Sequence, residues 1–202
     1  GHYLDTKHPI IVENLMGIRR VKGSIQKGKK PILINHLKLI INVIDEQKVN
    51  EIKKLRDKSI ILIGFGGGFR RTELISIDHE DLEFVPEGLK ISIKRSKTDQ
   101  FGEGMIKGLP FFTNEIYCPV MNVKKWLEVS QIKSGPIFRR SSKGSSLTDK
   151  RLTDQSVVLL MKKYLKLAGI ENTNFAGHSL RSGFATVAAE SGADERSIMT
   201  MT

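Results

Sequence analysis

The sequence predicts an α+β fold that is mainly α-helical and contains a small antiparallel β-hairpin or sheet. Apolar side chains recur at helical spacing from Leu33 to Ile44, and again in later segments. Residues 89–94 instead alternate apolar and polar side chains, the period of two that is typical of a strand. Helices therefore precede and follow one hairpin in the 202-residue chain.

The first thirty residues differ in character from the rest. Residues 8–18 predict a short helix with Pro9 in its first turn. Residues 19–30 are rich in Lys and Arg and contain no acidic residue, which is the composition of a flexible basic linker. Such a linker is either a plain tether or a segment that lies on a phosphate backbone. For the second case the candidate DNA-binding residues are Arg19, Arg20, Lys22, Lys29 and Lys30.

A second helix is predicted from about Asn50 to Ile63, followed by a glycine-rich stretch, residues 64–68. A dinucleotide-binding fingerprint would require glycine where Phe69 stands, and no Gly-Lys-Ser/Thr follows for a nucleoside triphosphate loop. These glycines are therefore predicted to end the helix in a sharp turn.

A short helix follows over residues 69–77, with Leu74 and Ile77 on its inner side. Arg70 and Glu73 lie three positions apart on it, a spacing at which helical side chains meet. The pair is either an ordinary surface ion pair or an arginine that faces a ligand and is held by Glu73.

The hairpin is predicted from residues 89–94, a turn over 96–104 and a return strand over 105–109. Lys97 lies in that turn, where a lysine is exposed unless a ligand lies beneath it. A helix is predicted from Pro119, with Val120, Val123 and Trp126 on its core face.

Residues 134–149 have the Gly/Ser-rich, basic composition of a loop. Three of them, Arg139, Arg140 and Lys143, are further candidate DNA contacts. Arg71, from the earlier short helix, is another. Thr153 and Asp154 then cap a helix that runs from about residue 155 to 168 and is closed by Gly169.

The segment 177–186 predicts the first turns of another helix, closed by Gly192. One apolar face, formed by Leu180, Phe184, Val187 and Ala188, is expected to face the core. His178 and Arg181 are neighbours beside that face. Together they are either part of a solvated helix surface or a site for phosphate, because arginine binds two phosphate oxygens and histidine exchanges a proton near neutral pH. A last helix starts at Asp194.

Composition favours a polyanionic partner. The chain has 33 Lys and Arg against 22 Asp and Glu, a formal net charge of +11, and such an excess is typical of nucleic-acid-binding proteins, although some basic proteins bind none. Aromatic residues are few, at 6%, which favours duplex over stacked single strands. The five His are scattered, so no metal site is predicted. Cys118 is the single cysteine, and we expect no signal peptide and no membrane span.

Three motifs in order resemble the catalytic domain of tyrosine recombinases, the phage integrase family. Residues 68–74, Gly-Phe-Arg-Arg-Thr-Glu-Leu, resemble the first arginine box, Lys97 the hairpin lysine, and residues 178–181, His-Ser-Leu-Arg, the His-x-x-Arg box. Gly183-Phe184-Ala185-Thr186 continues the family pattern. The resemblance covers about residues 31–202, and residues 1–30 resemble the end of the family's upstream core-binding domain with a basic linker.

The resemblance implies a site-specific recombinase that cleaves and rejoins duplex DNA through a 3′-phosphotyrosine, without metal or cofactor. Arg70 and Arg181 would clamp the phosphate oxygens, with Glu73 supporting Arg70. Lys97 would be the general acid for the leaving 5′-oxygen, and His178 would bond the phosphate or assist proton transfer. The resemblance further implies a homotetramer on DNA for the full-length protein. It also implies a cytoplasmic location, at the nucleoid when the protein is bound to DNA.

The chain departs from the family at its end. The family's tyrosine nucleophile is expected just after Thr202, so we expect these 202 residues to be a fragment that does not itself cleave DNA. A type IB topoisomerase shares the residue set, but the compact layout favours a recombinase. The remaining alternatives are a non-catalytic DNA-binding remnant or regulator with this fold, and a helical domain with incidental basic charge.

Overall fold

The computed structural model describes residue 5 and residues 8–22, 29–94, 104–142 and 146–202. The helices are α1 (Pro9–Lys22), α2 (Ile34–Glu46), α3 (Glu51–Gly66), α4 (Arg71–Ser76), α5 (Pro119–Ser130), α6 (Asp154–Leu167), α7 (Ser179–Glu190) and α8 (Glu195–Met201). The strands are β1 (Leu82–Val85), β2 (Gly88–Ile93), β3 (Met105–Pro110), β4 (Arg139–Ser141) and β5 (Leu147–Arg151). The predicted mainly helical α+β class is confirmed.

Helix α3 lies at the centre of the fold. Its residues from Leu55 to Phe65 are all buried, and α2, α5, α6 and α7 pack around it. A helix surrounded on all sides has no polar stripe. The predicted end at Ile63 was therefore wrong by three residues, because the glycines at 64 and 66 continue the buried helix instead of ending it.

The predicted hairpin is part of a three-stranded antiparallel sheet, in the order β1-β2-β3. In the register of β2 and β3, Ile91 lies opposite Lys107 and Leu89 opposite Leu109. All four side chains are buried, so one face of the sheet packs on the core. The turn predicted over residues 96–104 lies, except for Gly104, outside the described residues.

Two predictions about irregular segments were wrong. The loop predicted over residues 134–149 contains strands β4 and β5, which pair antiparallel. Their side chains are partly or fully exposed, so they lack the alternation of burial that would have marked them as strands. The linker predicted from Arg19 overlaps α1, which continues to Lys22, and residues 23–28 lie outside the described residues.

The core-facing side of α7 also differs from the prediction. Leu180 is buried, but Phe184 and Val187 are only partly buried. Ser179 and Gly183 share the inner face with Leu180. The reason is a close backbone contact, since a Cβ atom on Gly183 would lie 2.0 Å from the carbonyl oxygen of Ile32. The small residue brings α7 against the segment that precedes α2.

Candidate functional site

The candidate site is built on the sharp turn that joins α3 to α4. Gly67 ends α3, and Gly68 adopts a left-handed conformation with φ +55°. A Cβ atom on Gly67 would lie 2.2 Å from the ring of Phe69, which is buried beneath the turn. Glycine is therefore required here for a turn, as predicted, and the turn places Arg70 at the start of α4.

Arg70 and Glu73 form a closely bonded pair on this turn. The Nη1 atom of Arg70 lies 2.7 Å from Oε1 of Glu73, and the Arg70 backbone N–H donates to Oε2 at 2.9 Å. Glu73 is only 4% exposed. Burial raises the pKa of its carboxyl, but the two hydrogen bonds from Arg70 and the charge of Lys107 outweigh burial and hold the pKa below its usual value.

Helix α7 brings Arg181 to the same turn. Its Nη1 atom donates to the carbonyl oxygen of Gly68 at 3.0 Å, and the residue is partly buried. Burial, followed by the charge of Arg70, lowers the pKa of Arg181, while Glu73 acts in the opposite direction. His178 immediately precedes α7 and is exposed. The structure thus brings Arg70, Glu73 and Arg181 together, with His178 three positions before Arg181.

A third cation of this cluster was missed from the sequence. Lys107, on β3, is 1% exposed, and its ammonium lies 3.9 Å from Oε2 of Glu73. The signal was present in the alternation of β3, because residues 105, 107 and 109 point to one side and Leu109 is plainly a core residue. Among the described residues, three cations thus lie around one buried carboxylate, a local excess of positive charge that favours binding of an anion such as phosphate.

Lys97 lies outside the described residues, so its predicted place at the site stays a prediction; the same holds for Lys143 as a DNA contact. Arg19 and Lys22 lie in α1. Arg20, Lys29, Lys30 and Arg140 are exposed.

Several of the other predicted DNA contacts already have partners within the chain. Lys29 Nζ donates to the carbonyl oxygen of Thr173 at 2.8 Å. Arg140 Nε donates to the carbonyl oxygen of Arg151 at 3.1 Å. The Nε atom of Arg71 lies 3.0 Å from Asp154 Oδ2.

Arg139 is partnered in the same way and is held within the β4–β5 hairpin. Its Nη1 atom lies 2.6 Å from Asp149 Oδ1. Its Nε atom donates to the carbonyl oxygen of Pro136 at 2.8 Å.

Two tyrosines have hydrogen-bond partners away from this cluster. Tyr164 is fully buried and donates to Oδ2 of Asp57 at 2.8 Å, which confirms its predicted place in the core. Burial, together with the charge of Asp57 and this bond, raises the pKa of Tyr164. The hydroxyl of Tyr117 donates to Oδ1 of Asn42 at 3.2 Å. Tyr3 lies outside the described residues.

Comparison with known proteins agrees with this arrangement, since residues 34–202 match the phage integrase family. The chain belongs to this family. It is 44% identical, over all of its 202 residues, to an integrase/recombinase XerD homolog of Selenomonas ruminantium, and it covers 58% of that relative. It is 26% identical to the tyrosine recombinase XerD of Corynebacterium glutamicum over 83% of this chain and 51% of that protein. The chain therefore spans little more than half the length of these relatives.

Solved structures of recombinases share the fold. The XerH site-specific recombinase, in a pre-cleavage complex with its difH substrate, superposes with a TM-score of 0.65 at 16% identity, over 88% of this chain and 48% of that one. The XerA recombinase gives a TM-score of 0.64 at 16% identity, over 98% of this chain and 66% of that one. The fold is that of the tyrosine recombinase catalytic domain.

Among the described residues, no helix combines the length and the apolar character that crossing a bilayer requires.

Proposed function

We propose that the full-length protein is a site-specific DNA recombinase that cleaves and rejoins duplex DNA through a 3′-phosphotyrosine. The observation that carries this proposal is the convergence of Arg70 and Arg181 on one turn beside the buried Glu73 carboxylate. Two fork-shaped guanidinium groups held this way suit the oxygens of a phosphodiester. Family membership and the relatives named as tyrosine recombinases support the same chemistry.

The proposed roles follow from where charge develops. Arg70 and Arg181 neutralise the non-bridging oxygens as the phosphorus becomes five-coordinate, and Glu73 keeps Arg70 oriented. His178, exposed beside Arg181, donates to the phosphate or takes the proton of the nucleophile. Lys97 donates a proton to the leaving 5′-oxygen. Because the phosphotyrosine keeps the energy of the broken bond, rejoining needs no nucleotide cofactor.

We further propose that the nucleophile is a tyrosine outside residues 1–202. Tyr164 is buried against Asp57, and Tyr117 is bonded to Asn42. Both hydroxyls are thus bonded within the chain, and Tyr3 lies outside the described residues.

The proposed partner is double-stranded DNA, on which the full-length protein acts as a homotetramer, within the cytoplasm and at the nucleoid. The XerH recombinase bound to its difH substrate and the Tn1549 transposon integrase in complex with a circular intermediate DNA both share this fold. Residues 1–30 would form the end of an upstream core-binding domain and a linker on the DNA backbone. The exposed Lys30 and Arg140 would add phosphate contacts.

The test is covalent trapping with the full-length protein. Its preferred duplex is first selected from a random-sequence library, and that duplex is then nicked near the centre so that cleavage cannot be reversed. Incubation with EDTA, followed by a denaturing gel, should show a protein–DNA adduct. Arg181→Ala should abolish the adduct. Lys53→Gln removes a positive charge at the far end of α3, about 20 Å along the helix, and should retain it.

A selected duplex that is bound tightly but yields no adduct would contradict the proposal. That outcome would favour the non-catalytic DNA-binding regulator, whose phosphate contacts without catalysis would be Arg70, Lys97, His178 and Arg181. An adduct that survives Arg181→Ala would show that cleavage occurs at another site.

A further inference from the structure

Lys107 is a lysine on the buried face of the sheet, where the neighbouring side chains are apolar core residues. It lies on β3 opposite Ile91, which is fully buried, and its own side chain is 1% exposed. A buried ammonium is costly unless hydrogen bonds and counter-charge replace its water. The proposed function assigns no role to this residue.

Backbone oxygens from two distant segments surround the Lys107 ammonium. Its Nζ atom donates to the carbonyl oxygen of Gly67 at 2.9 Å and to that of Met201 at 2.6 Å, and that of Gly68 lies at 3.4 Å. It also lies 4.6 Å from the centroid of the Phe69 ring. An ammonium has three N–H donors. Because these carbonyls can take all three, Lys107 is placed to hold protein segments and not to touch a ligand.

These contacts join the elements that carry the candidate site. The Gly68 carbonyl oxygen also accepts a hydrogen bond from Arg181, so side chains of both α7 and β3 are bonded to the same turn. Glu73 lies between Arg70, at 2.7 Å, and Lys107, at 3.9 Å. Through Met201, the same ammonium fixes the last turn of α8 against this group.

We propose that Lys107 is a positioning residue that holds the Gly67–Gly68 turn and the end of α8 in one unit, so that Arg70 and Arg181 face a single phosphate. An apolar side chain of similar length would fill the same space, but it would leave the carbonyls of Gly67 and Met201 without their donor. The charge, and not the volume, is therefore the property that matters. The phosphate in this statement rests on the proposed function, whereas the linkage of the segments does not.

The burial of the Lys107 ammonium and the charges around it make this linkage sensitive to pH. Burial lowers the pKa of Lys107 to about 8; the charge of Glu73 opposes this effect, and those of Arg181 and Arg70 add to it. Among the described residues, these are the charged side chains that act on the ammonium: Glu73 lies on α4, Arg70 immediately precedes α4, and Arg181 lies on α7. Above pH 8 the amine is neutral and has two N–H donors for three carbonyls, so its hold on α8 weakens.

The test compares Lys107→Met, Lys107→Arg and a control in the full-length protein. The control is Lys90→Met, an exposed lysine on the neighbouring strand that pairs only loosely with Glu83, at 3.6 Å. Single-turnover adduct formation on the nicked duplex is measured at saturating protein from pH 6.5 to 9.5, together with DNA affinity. Hydrogen exchange of the α8 amides is measured on the same proteins without DNA.

Lys107→Met should slow adduct formation by about tenfold or more, because small misplacements of catalytic groups are costly, while DNA affinity changes much less. The wild-type rate should include a decline near pH 8 that Lys107→Met lacks, and Lys107→Arg should recover part of the rate. Exchange of the α8 amides should be faster in Lys107→Met alone. Equal rates, pH profiles and α8 exchange in Lys107→Met and wild type would overturn the proposal.

If the wild-type protein itself forms no adduct, the proposed function fails, and α8 exchange decides the role of Lys107 by itself. Faster α8 exchange in Lys107→Met, with exchange in Lys90→Met equal to that of wild type, would then support the linkage. Unchanged exchange would overturn it.

Discussion

Glu73 accepts hydrogen bonds from both the backbone and the side chain of Arg70, and it lies within 3.9 Å of the Lys107 ammonium. At 4% exposure it has little water to compensate for a lost partner. Removing its carboxylate would take away the counter-charge that Glu73 places between Arg70 and Lys107. The cost of such an uncompensated charge is larger than the value of the ion pair itself.

We therefore expect Glu73→Ala to lower the free energy of unfolding by about 3 kcal/mol or more, as for other broken buried pairs. The matched control is Glu83→Ala, whose ion pair with Lys90 is exposed and should contribute less than about 1 kcal/mol. Urea unfolding followed by circular dichroism measures both. Equal losses in the two variants would show that Glu73 is an ordinary surface carboxylate.

The lowered pKa of Glu73 gives a second prediction, for acid pH. Because its pKa lies below the usual 4.5, its contribution to stability is fully present above pH 4.5 and is lost as the pH falls through the folded-state value. The difference in unfolding free energy between wild type and Glu73→Gln should therefore shrink as the pH falls below 4.5. A difference that stays constant from pH 7 to pH 3 would contradict this assignment.

Lys107 gives a dependence of the same sign at alkaline pH, where the free energy of unfolding again rises with pH. Its pKa is about 8 in the folded protein against 10.5 for an ordinary lysine, so the unfolded chain binds more protons between these values and the free energy of unfolding rises with pH. Relative to Lys107→Met, wild type should gain up to about 3 kcal/mol between pH 8 and 10.5. Urea unfolding across this range tests it. Lys90→Met should follow wild type; a wild-type curve parallel to that of Lys107→Met would exclude the shift.

Helix α7 is held in place by its backbone. The Ile32 N–H donates to the Ser179 carbonyl oxygen at 2.9 Å, and one turn later Gly183 lies against the carbonyl of Ile32. This contact fixes the end of α7 that carries His178 and Arg181. The position of the site thus depends on a residue with no side chain.

Gly183→Ala should therefore destabilise the protein, by about 1–3 kcal/mol if the clash is relieved as in other overpacked sites. Gly17→Ala makes the same change on α1, where a Cβ atom would meet nothing within 4 Å, so it should not lower stability. Thermal unfolding distinguishes them. The Gly183 variant should also bind DNA less tightly, because Arg181 moves with α7. An unaltered melting temperature in Gly183→Ala would mean that α7 adjusts freely.

Helices and strands were predictable from the sequence where one face is buried and the other is exposed to solvent. The stripe of α2, whose Leu37, Ile40, Ile41 and Ile44 are all buried, shows this. The end of α3 was not predictable, because that helix is buried all round. Strands β4 and β5 were missed because burial does not alternate along them.

In the candidate site, too, some contacts were predictable from the sequence and others depend on the fold of the whole molecule. Arg70 and Glu73 are three residues apart, so their pairing follows from helix geometry alone. The contacts of Arg181 with Gly68 and of Lys107 with Met201 span 113 and 94 residues. Only the packing of α7, α8 and β3 at the turn that follows α3 brings those groups together. The family pattern anticipated Arg181, while Lys107 lies outside the pattern and was found from the structure.

The net charge of +11 acts over the whole molecule and predicts salt-dependent binding to duplex DNA. If at least six phosphates are neutralised, affinity should fall by about a thousandfold or more between 50 and 200 mM salt. Arg181→Gln and Lys53→Gln both reduce the net charge by one. Lys53 lies at the start of α3, whereas the arginine cluster lies at the turn that follows the end of α3. Fluorescence anisotropy with a labelled duplex gives the slope of log affinity against log salt. The slope should decrease by about one for Arg181→Gln and stay unchanged for Lys53→Gln, since only a residue on a phosphate releases a counterion. Equal slopes for the two variants would mean that overall charge, and not the cluster beside Gly68, holds the DNA.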